Sequence, residues 1–396
     1  MKGLRTAIVT GQYPPQVGGV GHSAHRVANL LADHGLEVHV IALHKHAEPL
    51  PFDESFRSVQ EGNVQVHRVK VFHPGFDNSL GLSEADVLTR YNREMFDAVD
   101  YFQRRHRFDV LHGFFLYPAA FIATLVGRMH RVKTIASIRG NDIGKYAFDP
   151  LRMPFVRQTL EQADYVTSVA TSLLELADRG LTPVAHKAKV ILNSINLAPG
   201  DLPPQPALEL KGMVIGTAGL FRYKKGLVYL FKALADLRDK VDFSLLLVGD
   251  YFSPDDRELH ERYLREYDLL ARTVITGKIP HHHMPGYLQC FDIVVFPSLF
   301  SEGCPLSMIE AMAMGKAVIG SRAGAIPEII HDHQNGILVS PGSSSQIVEA
   351  LQELMADAAL RRRLGENARA SVAHMRTEHE LEEWLRVYRH VLMVKV

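Results

Sequence analysis

The sequence predicts an α/β protein built from two Rossmann-like, doubly wound parallel-sheet domains facing a central cleft. Three observations predict it. Short β-branched runs alternate with amphipathic stretches along the chain. The alternation restarts after a proline-rich interruption. The 396 residues are enough for two domains of ordinary size.

In the first half the β-branched runs are 6–10, 38–43, 64–71, 109–112, 134–138, 165–169 and 189–192. A glycine-rich loop follows the first run, and a helix is expected over 22–34, stopped at Gly35. The second half repeats the rhythm with runs at 214–217, 243–248, 274–276, 293–296, 317–320 and 336–339. Between them, residues 196–206 carry four prolines and a glycine, which cannot join either sheet. The expected domains are therefore 1–205 and 206–375. A C-terminal helix over 376–396 completes the chain. Its apolar face, Leu381, Trp384, Leu385, Tyr388, Val391 and Leu392, is expected to pack back on the N-terminal domain. In doubly wound sheets, ligands bind outside the carboxyl ends of the strands.

Composition excludes several classes. Lys and Arg total 44 and Asp and Glu total 44, so no net charge draws the chain to nucleic acid or to an anionic membrane. Arg104, Arg105, His106 and Arg107 read as a cationic helix end that complements the macrodipole. The two cysteines, Cys290 and Cys304, form no disulfide framework and fit a reducing compartment. After Lys2 and Arg5 only Ala7, Ile8 and Val9 are apolar, too few for a secretory signal. The longest apolar stretch, 114–126, contains Pro118 and falls short of the ~20 residues a bilayer needs. It reads as a strand end leading into a buried helix. A cytoplasmic location is expected, with peripheral contact at the inner membrane face left open.

No metal is expected. Consecutive His281, His282 and His283 do not share a face, and no second Cys/His set has ligand spacing. Cys304 has no identifiable activating base. Gly19, Gly21 and Ala24 spell G-x-G-x-x-A, but they lie well past the strand and no acid closes the second one. A nicotinamide or flavin site is therefore rejected, and no cofactor is expected. The glycines still permit close backbone approach to a phosphate or reacting sugar; a plain turn before a helix is the alternative.

The most informative stretch runs from Phe296 to Gly315. A buried strand ends at Phe296, Glu302 and Gly303 lie in the next loop, and Pro305 suits a first helical position. The helix is expected to reach about Met314 and stop at Gly315. Amides near Gly303, Cys304 and Leu306 would make a phosphate site at its start. Glu302 can accept hydrogen bonds from sugar hydroxyls, and Glu310, two turns in, can reach a ribose diol. Otherwise they are a loop charge and a solvated helix charge. The apolar strand and small-residue helix favour burial of Glu310.

This pattern resembles the C-terminal signature of the retaining glycosyltransferases of family 4, the glycosyl transferases group 1, which have the GT-B fold. Their motif has two glutamates with seven residues between them, as Glu302 and Glu310 have here. The likeness extends to Gly216-Thr217-Ala218-Gly219-Leu220-Phe221-Arg222-Tyr223-Lys224-Lys225-Gly226, to residues 317–330, to 335–339 and to Asn193-Ser194-Ile195-Asn196. It covers nearly the whole chain.

The resemblance implies that Lys225 holds the donor diphosphate, Glu302 the sugar hydroxyls and Glu310 the ribose. Gly303 and Cys304 would offer amides, and the loop of Gly19 and Gly21 would face the donor. The family often has arginine where Leu220 follows Gly219; Arg222 is near enough to substitute, or is an exposed loop charge. Arg139 stands where the family often has histidine, and is read as a contact for a phosphate or an acidic acceptor. Asp142 is read as a ligand for a donor or acceptor hydroxyl. For both residues, ordinary loop capping is the alternative. His112 is a further cleft candidate or a satisfied core histidine.

The expected function is transfer of a hexose-type sugar from a UDP- or GDP-sugar co-substrate to an acceptor hydroxyl on a glycan, lipid-linked or small molecule. The pathway would be glycan, lipopolysaccharide or glycolipid synthesis. No Asp-x-Asp metal cradle is visible, so metal-independent transfer is expected, and the resemblance implies retention. The rivals are a nucleotide-sugar isomerase or hydrolase of like architecture, and a non-catalytic nucleotide-sugar-binding protein.

Overall fold

The computed structural model describes residues 3–16, 18–74, 81–195, 203–300 and 302–393. The chain forms two compact units, Met1–Asn193 with Thr377–Val396, and Ser194–Arg376.

The first unit runs β1 (Arg5–Thr10), α1 (Gly19–Asp33), β2 (Glu37–His46), β3 (Phe56–Glu61), β4 (Val64–Phe72), α2 (Glu84–His106) and β5 (Val110–Phe114). It continues with α3 (Phe121–His130), β6 (Lys133–Ile138), α4 (Asn141–Gly144), α5 (Met153–Gln162), β7 (Tyr165–Ser168), α6 (Thr171–Gly180) and β8 (Ala188–Val190). Its eight-stranded sheet has the order β3-β4-β2-β1-β5-β6-β7-β8. The sheet is parallel except for β3, which pairs antiparallel with β4. The sequence reading has no strand there, because the Phe56–Glu61 edge is largely polar and solvent-facing.

The second unit runs β9 (Met213–Ala218), α7 (Leu227–Ala235), β10 (Phe243–Val248), α8 (Pro254–Glu266), β11 (Thr273–Ile275), α9 (Met284–Gln289) and β12 (Ile293–Phe296). Then come α10 (Leu306–Ala313), β13 (Ala317–Ser321), α11 (Ile326–Ile329), β14 (Ile337–Val339), α12 (Ser344–Ala356) and α13 (Ala358–Ser371). Its six parallel strands are ordered β11-β10-β9-β12-β13-β14. The strand order therefore reverses between β9 and β12, and that switch point is where such sheets open a crevice.

Local chemistry sets the helix ends. Ser83 accepts from the Asp86 amide at the start of α2, and Arg104, Arg105 and His106 fill its last turn. Ser253 caps α8, with Pro254 at the first helical position. Branched residues drive the cores. In the second unit Ile215, Leu245, Leu247, Ile293 and Val295 pack under Leu230, Phe231, Leu234, Leu351 and Leu364.

The last helix, α14 (Thr377–Met393), returns to the first unit, where Trp384 and Tyr388 join Ile8, Val27, Leu31 and Val110 in the core. Leu392 departs from the expected apolar face and is exposed. The units meet in sequence at Asn193 and Ser194, upstream of the expected boundary. Ile195 already pairs with Arg376, and the Pro203 carbonyl accepts from Gln289, so both ends of the proline-rich stretch pack in the second unit. Residues 196–202 of that stretch lie outside the described residues. No described helix is long and apolar enough to cross a membrane.

Candidate active site

Two loops at the β9/β12 switch point carry the charged residues. The first leaves β9 through Gly219, whose φ of 142° lies in the glycine-favouring region, and returns at Gly226, φ 68°. A Cβ on Gly226 would stand 2.0 Å from the Pro297 carbonyl oxygen, so only glycine allows this approach. The second loop follows β12. Its Leu299 amide donates to the Lys224 carbonyl at 2.8 Å, which fastens the two loops together.

The side chains then converge. Lys225 Nζ is 3.1 Å from Glu302 Oε2, and Lys224 Nζ is 3.6 Å from Glu302 Oε1. Ser298 Oγ donates to the same Oε1 at 3.2 Å. Glu302 is buried. Burial pushes its pKa up, but the two ammoniums outweigh burial and hold the carboxyl below its ordinary range. Burial lowers the Lys224 pKa, with Glu302 acting the other way. Gly324 supports the carboxylate from behind. A Cβ there would sit 2.1 Å from the Glu302 carbonyl oxygen, and the Ala325 amide donates to that oxygen at 3.0 Å.

Arg222 lies with its guanidinium carbon 3.6 Å from the centroid of the Phe252 ring. Burial lowers its pKa, and Asp256 and Glu302 oppose that shift. Gly219, Lys225 and Ser298 line one small cavity together with Leu220 and Phe221. A wider depression of about 420 Å³, lined by Asp250, Tyr251, Phe252, Arg257 and Glu261, includes neither Lys225 nor Glu302.

Helix α10 begins at Leu306 with Pro305 as its cap, one residue later than the sequence suggested. Cys304 is buried, and Gly303 is half-buried in the preceding turn. Ser307, in the first turn, donates to the Ala218 carbonyl at 2.9 Å, so this helix start abuts the end of β9. Glu310 is buried, and its Oε1 lies 2.8 Å from His281 Nε2. The histidine triplet forms a turn before α9, and its first member serves Glu310. Sequence reasoning saw the triplet and missed that contact; no local spacing links residues 281 and 310.

In the first unit, Gly19 opens α1 with nothing near its missing side chain. Gly21 is buried, and a Cβ there would crowd the Gln12 backbone at 3.2 Å. Arg139 is buried at the end of β6; its Nη2 donates to Asn193 Oδ1 at 2.7 Å, and its guanidinium faces the Phe114 ring. Asn193 Oδ1 also accepts from Ser23 and Arg26. Asp142 is fully buried and accepts from the amides of Leu116, Arg139 and Gly140. In this arrangement it caps the loop, and its carboxylate is not presented to a hydroxyl. His112 is likewise a satisfied core histidine, bridging Tyr388 and Ser137.

The chain matches two family models end to end. The model described as glycosyl transferases group 1 matches residues 201–371, and the glycosyl transferase 4-like domain matches residues 18–194. It is 27% identical to N-acetyl-alpha-D-glucosaminyl L-malate synthase of Bacillus anthracis, covering 96% of this chain and 95% of that one. Its fold is similar to that of sucrose-phosphate synthase from Thermosynechococcus elongatus, with a TM-score of 0.80 at 21% identity over 98% of this chain and 99% of that chain. It is also similar to an Anabaena protein, HepE, solved in complex with UDP-glucose, with a TM-score of 0.72 at 18% identity over 98% and 100% of the two chains.

Proposed function

We propose, from the premise that this chain belongs to the glycosyl transferases group 1 family and has the GT-B fold, that it transfers a hexose-type sugar from a nucleotide-diphosphate sugar to an acceptor hydroxyl. One observation carries the reading: a buried carboxylate, Glu302, held between Lys224 and Lys225 at the β9/β12 switch point.

Breaking a glycosyl–phosphate bond builds negative charge on the leaving diphosphate and positive charge on the sugar carbon. Fixed cations and amides in a dry site stabilise the first without reorganising. In this reading Lys225, Arg222 and the first-turn amides of α10 would take that task, and Glu302 would accept from the sugar hydroxyls. Glu310 would take the ribose diol. In the retaining course, the bond to the diphosphate breaks and the acceptor oxygen bonds the same face of the sugar carbon. The acceptor proton passes to the leaving phosphate oxygen. With two cationic side chains and the helix amides assigned to the diphosphate, no metal ion is required in this scheme.

Arg139, buried at the end of β6, would meet a phosphate or an acidic acceptor in this reading. The relative named N-acetyl-alpha-D-glucosaminyl L-malate synthase is a reason to include N-acetylglucosaminyl donors and L-malate in the trial. The test is a panel of UDP- and GDP-sugars scored for donor-induced thermal stabilisation, then for nucleotide release with and without acceptors. Release that depends on an acceptor supports transfer. Equal release without one makes the protein a hydrolase, conversion of the donor to another nucleotide sugar without release makes it an isomerase, and binding with neither makes it a carrier.

A further inference from the structure

Three histidines far apart in sequence meet on one face of the first unit's sheet. His39 lies near the start of β2 and His67 in the middle of β4. In the register of these parallel strands His39 pairs with Gln65 and Ile41 with His67, so both imidazoles stand on the same face. His106 ends α2, the helix that crosses back over β4. One ring nitrogen from each lies within 4.8 Å of the others. His39 and His67 are buried and His106 is half-buried.

We propose that His39, His67 and His106 form a binding site for a borderline divalent transition metal such as Zn²⁺, with water as the fourth ligand. Three histidines and an open position make a recognised donor set for such ions. Tetrahedral ligation at about 2.0–2.1 Å needs ring nitrogens roughly 3.3 Å apart. His39 Nδ1 and His67 Nε2 are already at 2.8 Å, and His106, half-exposed at a helix end, is the ring with room to close in.

The outer nitrogens have the partners that ligating histidines need. His39 Nε2 faces Glu37 Oε1 at 3.4 Å, and His67 Nδ1 faces Ser58 Oγ at 2.7 Å. Each can donate outward and leave its inner nitrogen bare for a cation. Without a metal the same atoms form a proton chain from Ser58 through His67 and His39 to Glu37. Rotating one hydroxyl and switching one tautomer converts the chain into a ligand set. Arg5 and Arg105 are the cations facing the cluster and Glu37 the opposing carboxylate. The site lies toward the amino ends of the strands, so a metal there would brace α2 against the sheet and take no part in sugar transfer.

The full chain, dialysed against a chelator, is titrated with Zn²⁺ by calorimetry and with Co²⁺ by absorption. The expected result is one tight equivalent, a tetrahedral Co²⁺ spectrum and a raised melting temperature. His106→Ala should abolish the equivalent, and Glu37→Gln should weaken it by about 10-fold. His39→Asn is a second probe, and circular dichroism checks that each variant folds. His106→Ala lies at a half-exposed helix end and decides the matter should His39→Asn misfold. Two results overturn the proposal: an equivalent that persists in His106→Ala, or one that disappears in the His282→Ala/His283→Ala double variant, which would assign it to the exposed triplet.

Discussion

Lys225 Nζ stands 3.1 Å from Glu302 Oε2, at the point where the strand order of the second unit reverses. The lysine rides on a loop whose return at Gly226 is pressed against Pro297, and the glutamate on the loop that Pro297 begins. Neither residue can shift without the other loop responding. In the proposed scheme the pair would set a cation for the diphosphate next to an acceptor for sugar hydroxyls.

Lys225→Ala should lower turnover by about 10²–10³, the usual cost of one lost electrostatic donor. Lys224 and Ser298 still serve Glu302 in that variant, so the fold should survive. Glu302→Gln should have a comparable effect. Because the two residues touch, the double variant should lose less than the product of the single losses. Steady-state nucleotide release under saturating acceptor measures all three. Wild-type turnover in Lys225→Ala removes the lysine from the mechanism.

Gly324→Ala should damage both stability and turnover. Its Cβ would meet the Glu302 carbonyl oxygen at 2.1 Å and nitrogen at 2.4 Å, at a φ of 56°. Backbone lies on both sides, so the loop must shift, at about 1–3 kcal/mol. Gly62→Ala is the control: its φ is 57°, yet nothing lies within 4 Å. It should cost about 1 kcal/mol from backbone strain alone and leave turnover intact. Urea unfolding and turnover of the two variants test the contrast; equal losses would mean that Gly324 acts only through its φ.

Much of this was legible because strands, loops and helix stops are local. The runs at 214–217, 243–248 and 293–296 fall inside β9, β10 and β12, since parallel strands covered on both faces read as continuous apolar runs. The motif singled out Glu302 and Lys225 as site residues, though not that they pair with each other. The partners of the remaining site residues did not. His281 reaches Glu310 across 29 positions, and Asn193 reaches Arg139 across 54. No periodicity encodes such contacts. Asp142 could be read either way from sequence, because a residue in the loop just after a strand end can serve backbone amides or face a ligand. The amides of Leu116, Arg139 and Gly140 settle its present role.

Acid sensitivity should centre on His112. Burial, with Arg139 adding to it, holds this ring down to about 3. In the unfolded chain it titrates near 6.5. Between those values the unfolded state binds a proton that the folded state refuses. Stability should therefore fall as pH drops from about 6.5, by up to about 1.4 kcal/mol per pH unit from this group. His112→Asn should lose some stability at pH 7 and flatten the slope between pH 7 and pH 5. Trp384, the chain's one tryptophan, has its ring 5.1 Å from the imidazole and reports unfolding of this unit by fluorescence. An unchanged slope in the variant would mean that other buried histidines, His67 among them, dominate.

His281→Ala should separate positioning from chemistry. The ring donates to one oxygen of Glu310 at 2.8 Å, and the carboxylate keeps its second oxygen for a ligand. A carboxylate held in one rotamer binds a diol with less ordering cost than a loose one. The histidine touches no reacting atom in the proposed scheme, so its loss weakens ground state and transition state equally. The expected outcome is a donor KM raised several-fold, on the order of 1 kcal/mol for one hydrogen bond, with kcat nearly unchanged. His281→Gln retains a donor and should recover most of the loss. A fall in kcat with KM unchanged would place His281 in the chemical step, and a lower KM would show that it competes with the donor for Glu310.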